Sequence, residues 1–236
     1  YHTMHEIIRD SEIYPIKNVV VVEIMGRNSG WLTLAAGLEH FMGGVYPQIV
    51  AIPEIPFDEF GFLNQVKELL KTEHTVICAV SEGIRNHNGD YVGMETKSGA
   101  VDTFGHTYLS GVGKYLELQI AEKIGCKVRS IELNVMQRCS AHLASKTDLD
   151  EAVQIGEAAV SAAEAGATGI MMVFERTSNH PYAVRIAQTD VSNVANLAKD
   201  VPECWHDLSD QSVRDEIKQY LLPLMQGELE PIRDKT

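Results

Sequence analysis

Val19-Val20-Val21-Val22-Glu23-Ile24-Met25-Gly26-Arg27-Asn28-Ser29-Gly30 is the stretch that decides the architecture. Five β-branched residues in six leave no polar face. Such a run suits a strand covered on both sides, as in a parallel sheet, better than a half-exposed antiparallel one. A polar, glycine-bearing turn follows from Met25 to Gly30, and Trp31–Leu38 has the composition of a helix.

The same alternation continues outward. A short helix is expected around Met4, Ile7 and Ile8, ended by Tyr14-Pro15. Ile49–Ile52 is a strand stopped by Pro53, and Asp58 is an N-cap for a helix over Glu59–Leu70. Thr75–Val80 is a second buried strand, running into Ser81-Glu82-Gly83. After a polar loop, Arg85–Ala100, come a helix over Tyr108–Ile124 closed by Gly125 and a strand over Lys127–Leu133. Helices over Asp148–Ala165 and Asp210–Leu222 flank strands at Ile170–Phe174 and Tyr182–Ile186. Strands separated by helices of this length imply βαβ units. The expected fold is therefore α/β, a Rossmann-like parallel-sheet sandwich with helices on both faces.

Composition narrows the function. The chain has 236 residues, 44% of them hydrophobic, and a formal net charge of -13. An exterior this acidic repels nucleic acid and anionic membranes, so neither is expected as a partner. No apolar run approaches the roughly 18 residues of a membrane helix. The amino terminus, YHTMHEIIRD, has no signal-peptide core, and its lack of an initiating Met fits an internal start. Cys78, Cys126, Cys139 and Cys204 show no CxxC spacing, which argues against zinc and disulfides and for reduced thiols in the cytoplasm.

In parallel sheets ligands sit at the carboxyl ends of strands, and three such ends are unusual. Met25-Gly26-Arg27 puts a guanidinium ahead of a helix amino terminus, where anions are favoured; equally, the glycines fit a plain turn with Arg27 in a surface pair. Glu82, ahead of Gly83, suits a carboxylate that accepts sugar hydroxyls, and equally a solvated or capping one. Arg129 lies within the Lys127–Leu133 strand and Arg138 just beyond its end, and two guanidiniums suit a phosphate dianion, though paired arginines are common. There is no GxxxxGK[ST], GxGxxG, GxSxG or HExxH, and the histidines show no metal-ligand spacing.

Taken in order, VVVVEIMGRNSGWLTLAAGL, AIPEIPFD, CAVSEGI, DTFGHTYLSGVGKYLE, KVRSIELNVMQR and CSAHLASKTDLDEAVQIGEAAVSAAEAG resemble the phosphofructokinase family, over nearly the whole chain and on the bacterial branch that includes pyrophosphate-dependent enzymes. The resemblance implies transfer of a phosphoryl group from pyrophosphate or ATP to the 1-hydroxyl of fructose 6-phosphate, with Mg²⁺, in a homo-oligomer (dimer or tetramer) whose active sites are shared. It implies that Met25, Gly26 and Arg27 hold the substrate, with Arg27 also stabilising the transferring group. Glu82 would bind the sugar hydroxyls, and the substrate would also meet Val135, Met136, Gln137 and Arg138. Arg129 and Arg138 would clamp the 6-phosphate, Arg129 from a neighbouring subunit. Residues 1–126 would form the fructose 6-phosphate domain, and 127–236 the rest of the substrate site plus a segment returning to the donor domain. Asp102–His106 is either an interface or second-site stretch or a capped helix start.

The sequence departs from the family in three places. Val135 stands where many relatives have the His of GHIQR, and cannot make its phosphate contact. Asn18, beside Lys17, stands where a further phosphate arginine precedes the strand. The family's GGDGS-type donor loop and TIDND segment do not occur in this chain. Phosphoryl transfer needs donor, metal, acceptor and base together, so this chain alone is expected to be inactive or nearly so. The alternative is a non-catalytic sugar-phosphate-binding or regulatory module of the same fold.

Overall fold

The structure, a computed structural model, describes residues 1–93 and 111–225. Asp102–His106, the end of the Arg85–Ala100 loop and the expected helix start at Tyr108 lie outside the described residues. The chain packs as two compact units: Tyr1–Cys139 with Asp200–Asp215, and Ser140–Lys199 with Glu216–Thr236.

Among its described residues the first unit has four parallel strands, β1 (Asn18–Ile24), β2 (Ile49–Ala51), β3 (Thr75–Ser81) and β4 (Lys127–Glu132), in the order β2-β3-β1-β4. Every residue of β1 and β3 is buried. The continuous Val19–Val22 run follows from that position: its side chains alternate into two cores. Val19 and Val21 pack with Val66 of α4 (Glu59–Thr72) and Leu116 of α5 (Val112–Lys123). Val20, Val22 and Ile24 pack on the opposite face with Met4 and Ile8 of α1 (His2–Glu12) and Ala36 of α2 (Trp31–Ala36). Helices thus cover both faces, as the sequence predicts.

Several boundaries shift for local reasons. Gly37 separates α2 from a second short helix, α3 (Leu38–Phe41), where one helix is expected. Asp58 occupies the N-cap of α4 but its side chain makes no cap bond. A four-residue helix, α6 (Met136–Cys139), follows β4 where the sequence gives no helix signal.

The second unit holds α7 (Lys146–Glu164) and a hairpin of β5 (Ile170–Asn179) and β6 (Tyr182–Asp190), paired antiparallel. α7 begins two residues earlier than expected because the Ser145 hydroxyl accepts the Asp148 amide at 3.3 Å. The hairpin departs from the all-parallel expectation. Only His180 and Pro181 join its strands, and a parallel crossover needs a dozen or more residues. The last helix described is α8 (Gln211–Leu221).

Candidate functional site

The candidate site lies at the carboxyl ends of the adjacent strands β3, β1 and β4, all in the first unit. The ladder continues past β1 and β4, with the Leu133 amide donating to Glu23 O at 3.1 Å. The Met25 amide then donates to Gln137 Oε1 at 2.9 Å, and Gln137 Nε2 donates back to Met25 O at 3.3 Å. Gln137 therefore acts as one more backbone rung, tying the turn after β4 to the end of β1. Its side chain is committed to protein, and the turn it anchors carries Val135, Met136 and Arg138.

On the other side, the Glu82 amide donates to Ile24 O at 2.9 Å. The Gly26 amide donates to Glu82 Oε1 at 3.2 Å, and the Ser81 hydroxyl donates to Gly26 O. A carboxylate has about four lone-pair sites, so this bond leaves Glu82 capacity for a ligand hydroxyl. Gly83 is required by close packing: a Cβ there would stand 1.8 Å from Arg27 O. The close approach that this glycine permits is made by the Arg27 backbone.

The far end of the loop is also occupied. The Gly30 amide, ahead of α2, donates to Glu54 Oε1 at 3.0 Å and Oε2 at 3.1 Å. The helix-terminal amide expected to attract an anion is already satisfied by a carboxylate. Glu54 carries no role in the sequence reading; its signal was a carboxylate set between two prolines immediately after a strand.

The structure thus brings Met25, Gly26, Arg27, Glu82 and Gln137 together, with Val135, Met136 and Arg138 on the adjoining turn. Val135 and Met136 are 58% and 57% exposed, and Arg138 is exposed with no ion-pair partner among the described residues. Arg129 is not brought in. It pairs with Val20, five residues before Met25, or about 16 Å of strand. It lies 3.6 Å from Asp10 and over the Tyr14 ring at 5.6 Å. Asn18 is inward and structural, donating to Ile16 O and to Thr75 Oγ1, both at 3.1 Å. A cavity of about 250 Å³ lies beside β2 and α4, near Ile52, Phe57 and Phe62, and none of the candidate residues lines it.

Beneath the site is a buried acid the sequence reading passed over. Glu23 is 6% exposed and accepts the Gly113 amide of α5 at 2.7 Å. Burial above all, then the nearby carboxylates of Glu132 and Glu82, raise its pKa from 4.5 to about 7, against the pull of the Gly113 and Gly111 amides. No group of three or more His, Cys, Asp or Glu side chains among the described residues could hold a metal ion. No described helix is long and apolar enough to cross a membrane.

Residues 3–163 match the phosphofructokinase family. The chain belongs to that family. It is 36% identical over 210 residues to the pyrophosphate–fructose 6-phosphate 1-phosphotransferase of Xanthomonas campestris pv. campestris, covering 89% of this chain and 50% of the relative. The enzyme of the same name from Halomonas elongata is also 36% identical over 210 residues, covering 89% and 49%. Among solved structures, the pyrophosphate-dependent phosphofructokinase from Marinobacter aquaeolei superposes with a TM-score of 0.78 at 26% identity, covering 99% of this chain and 56% of that one. The α/β fold inferred from the strand pattern, in the phosphofructokinase-like form that the resemblance implies, is the fold observed. The chain spans about half the length of the curated relatives it matches.

Proposed function

We propose that this chain is the fructose 6-phosphate-binding portion of a 6-phosphofructokinase, a phosphotransferase that moves a phosphoryl group from pyrophosphate or ATP to the sugar 1-hydroxyl. The observation that carries this proposal is the arrangement at one end of the sheet. Glu82 and Gln137, from the segments after β3 and β4, grip the Met25-Gly26 backbone from either side. Arg138, on the gripping turn, supplies a cation for the 6-phosphate dianion in so acidic a protein, and Arg27, on the gripped loop, holds the substrate and stabilises the transferring group.

Glu82 serves the sugar hydroxyls. Gln137 positions Met25, and Val135 and Met136 line the approach. Arg129 serves a neighbouring subunit of a cytoplasmic homo-oligomer, because its own β4 points it away from the local site. Residues 1–126 supply the loop and Glu82, and 127–236 supply the rest. Donor and Mg²⁺ belong to the whole enzyme.

Calorimetric titration with fructose 6-phosphate and with fructose tests the assignment. Arg138→Ala is expected to weaken fructose 6-phosphate by about tenfold or more while sparing fructose, because a charge-assisted bond contributes about 1.5–3 kcal/mol. Glu82→Gln should weaken both alike. Equal loss of both sugars in Arg138→Ala would remove Arg138 from the phosphate site.

A further inference from the structure

The loop Met25–Gly30 is fastened at three places, and the third differs from the others. Gln137 and Glu82 each come from the turn after a neighbouring strand. Glu54 also takes an amide from far along the chain: Val201 donates to Glu54 Oε1 at 2.9 Å, beside the two contacts from Gly30. One carboxylate therefore holds both the end of the loop and the start of Asp200–Asp215, the segment that returns to the first unit.

The surroundings leave little play at this joint. A Cβ at Gly30 would stand 2.4 Å from Ile52 Cβ and 2.9 Å from Glu54 Oε2. Val201 is 2% exposed. Trp31, the residue after Gly30, meets Trp205 edge to face with ring centroids 5.8 Å apart. Displacing the returning segment would cost Glu54 one of its two amides and Trp31 its aromatic partner. Displacing the loop would cost the returning segment the same contacts.

We propose that Glu54 is a positioning residue for the Met25–Gly30 loop, and that by holding the Gly30 and Val201 amides on one carboxylate it couples that loop to Asp200–Asp215. Its consequence for sugar binding rests on Met25–Arg27 being the sugar-phosphate loop. Coupling of this kind is reciprocal: a ligand that steadies the loop must also steady the segment around Val201.

The test combines calorimetry with hydrogen exchange on the 236-residue chain, as wild type, Glu54→Ala and Glu54→Gln. In the wild type, fructose 6-phosphate is expected to slow exchange in peptides covering 25–31 and also 200–206. Glu54→Ala should bind it about tenfold more weakly and lose the protection at 200–206. Glu54→Gln keeps a carbonyl acceptor and should bind within about threefold of wild type. If Glu54→Ala binds as tightly as wild type, or if 200–206 ignores the ligand in the wild type, the coupling is overturned. A rise in exchange throughout the chain in Glu54→Ala also overturns it, because Glu54 would then be a general support. If the wild type does not bind fructose 6-phosphate at all, the sugar-phosphate assignment fails by itself. The coupling is then judged without ligand: faster exchange at both 25–31 and 200–206 in Glu54→Ala, restored by Gln, sustains it, and a change at one segment alone or at neither overturns it.

Discussion

β1 and β5 begin from similar material, Val19–Ile24 in one and Ile170–Phe174 in the other, and meet different fates. β1 lies between β3 and β4 with helices above and below, and all seven of its residues are buried. β5 pairs with β6 alone among the described residues, and Met171 and Phe174 stay 49% and 40% exposed. The same contrast separates the helices. α4 buries Phe62, Leu63, Val66 and Leu70, whereas α7, the longest helix described, buries only Ala162. An apolar run states that a strand can be covered; its neighbours decide whether it is. The first unit is close-packed enough to hold a loop at fixed geometry, and the candidate site is there.

The largest expected effect tests that packing where it meets the site. Gly83→Ala puts a methyl group where Arg27 O already lies. Backbone cannot yield as a side-chain tip can. The substitution is expected to cost at least about 4 kcal/mol, at the extreme of single-residue effects, and to abolish fructose 6-phosphate binding. A variant with wild-type urea midpoint and affinity would mean that Gly83 and Arg27 are not in contact. Next, Ile77→Ala and Met171→Ala set the two strands against each other directly. Ile77 is 0% exposed at the centre of β3, so its truncation should cost about 3–4 kcal/mol. Met171→Ala, at a half-exposed position, should cost under about 1 kcal/mol. Similar costs would show that β5 is covered as fully as β3.

How much of this was legible in the sequence follows the same contrast. β1 and β3 could be read because a strand buried on both faces must be apolar throughout, and the glycine-bearing turns after them could be read as strand ends. The direction of β6 was also available: seven residues separate Phe174 from Tyr182, too few for a crossover. The loop fastenings were not legible. Gln137 and Glu54 bind backbone amides across gaps of 112 and 24 residues, and no local pattern marks a side chain that replaces a main-chain rung. Glu23 was hidden for a different reason. It interrupts the apolar run at a position facing α5, where only the fold reveals that a helix amide waits for it.

Glu23 gives the comparison a pH axis. Its pKa rises from 4.5 to about 7 on folding, so between those values the folded chain holds a proton that the unfolded chain has lost. Stability from this group therefore falls as pH rises through that window and is level above it. Glu23→Gln keeps an acceptor for the Gly113 amide and removes the titration. At pH 8 it should be more stable than the wild type by up to about 3 kcal/mol, the gap closing near pH 4. A constant difference across that range, in urea unfolding at each pH, would show that Glu23 is not held neutral by burial.

The smallest effect is expected to have the opposite sign to the largest, from the same kind of substitution. Gly156 lies inside α7, exposed, and a Cβ there would meet nothing within 4 Å. It falls on one stripe with Leu149, Val153 and Val160, which are 45%, 60% and 60% exposed. Glycine in a helix interior costs about 0.5–1 kcal/mol relative to alanine through backbone entropy. With no neighbour to displace, Gly156→Ala should therefore raise stability by about that amount, read as a shift in the urea midpoint by far-ultraviolet circular dichroism. If Gly156→Ala instead lowers stability, and does so more at high protein concentration, a second copy packs closely on that stripe and needs the missing side chain. The two glycines would then have the same meaning, and the openness of α7 would belong to the single chain and not to its assembled state.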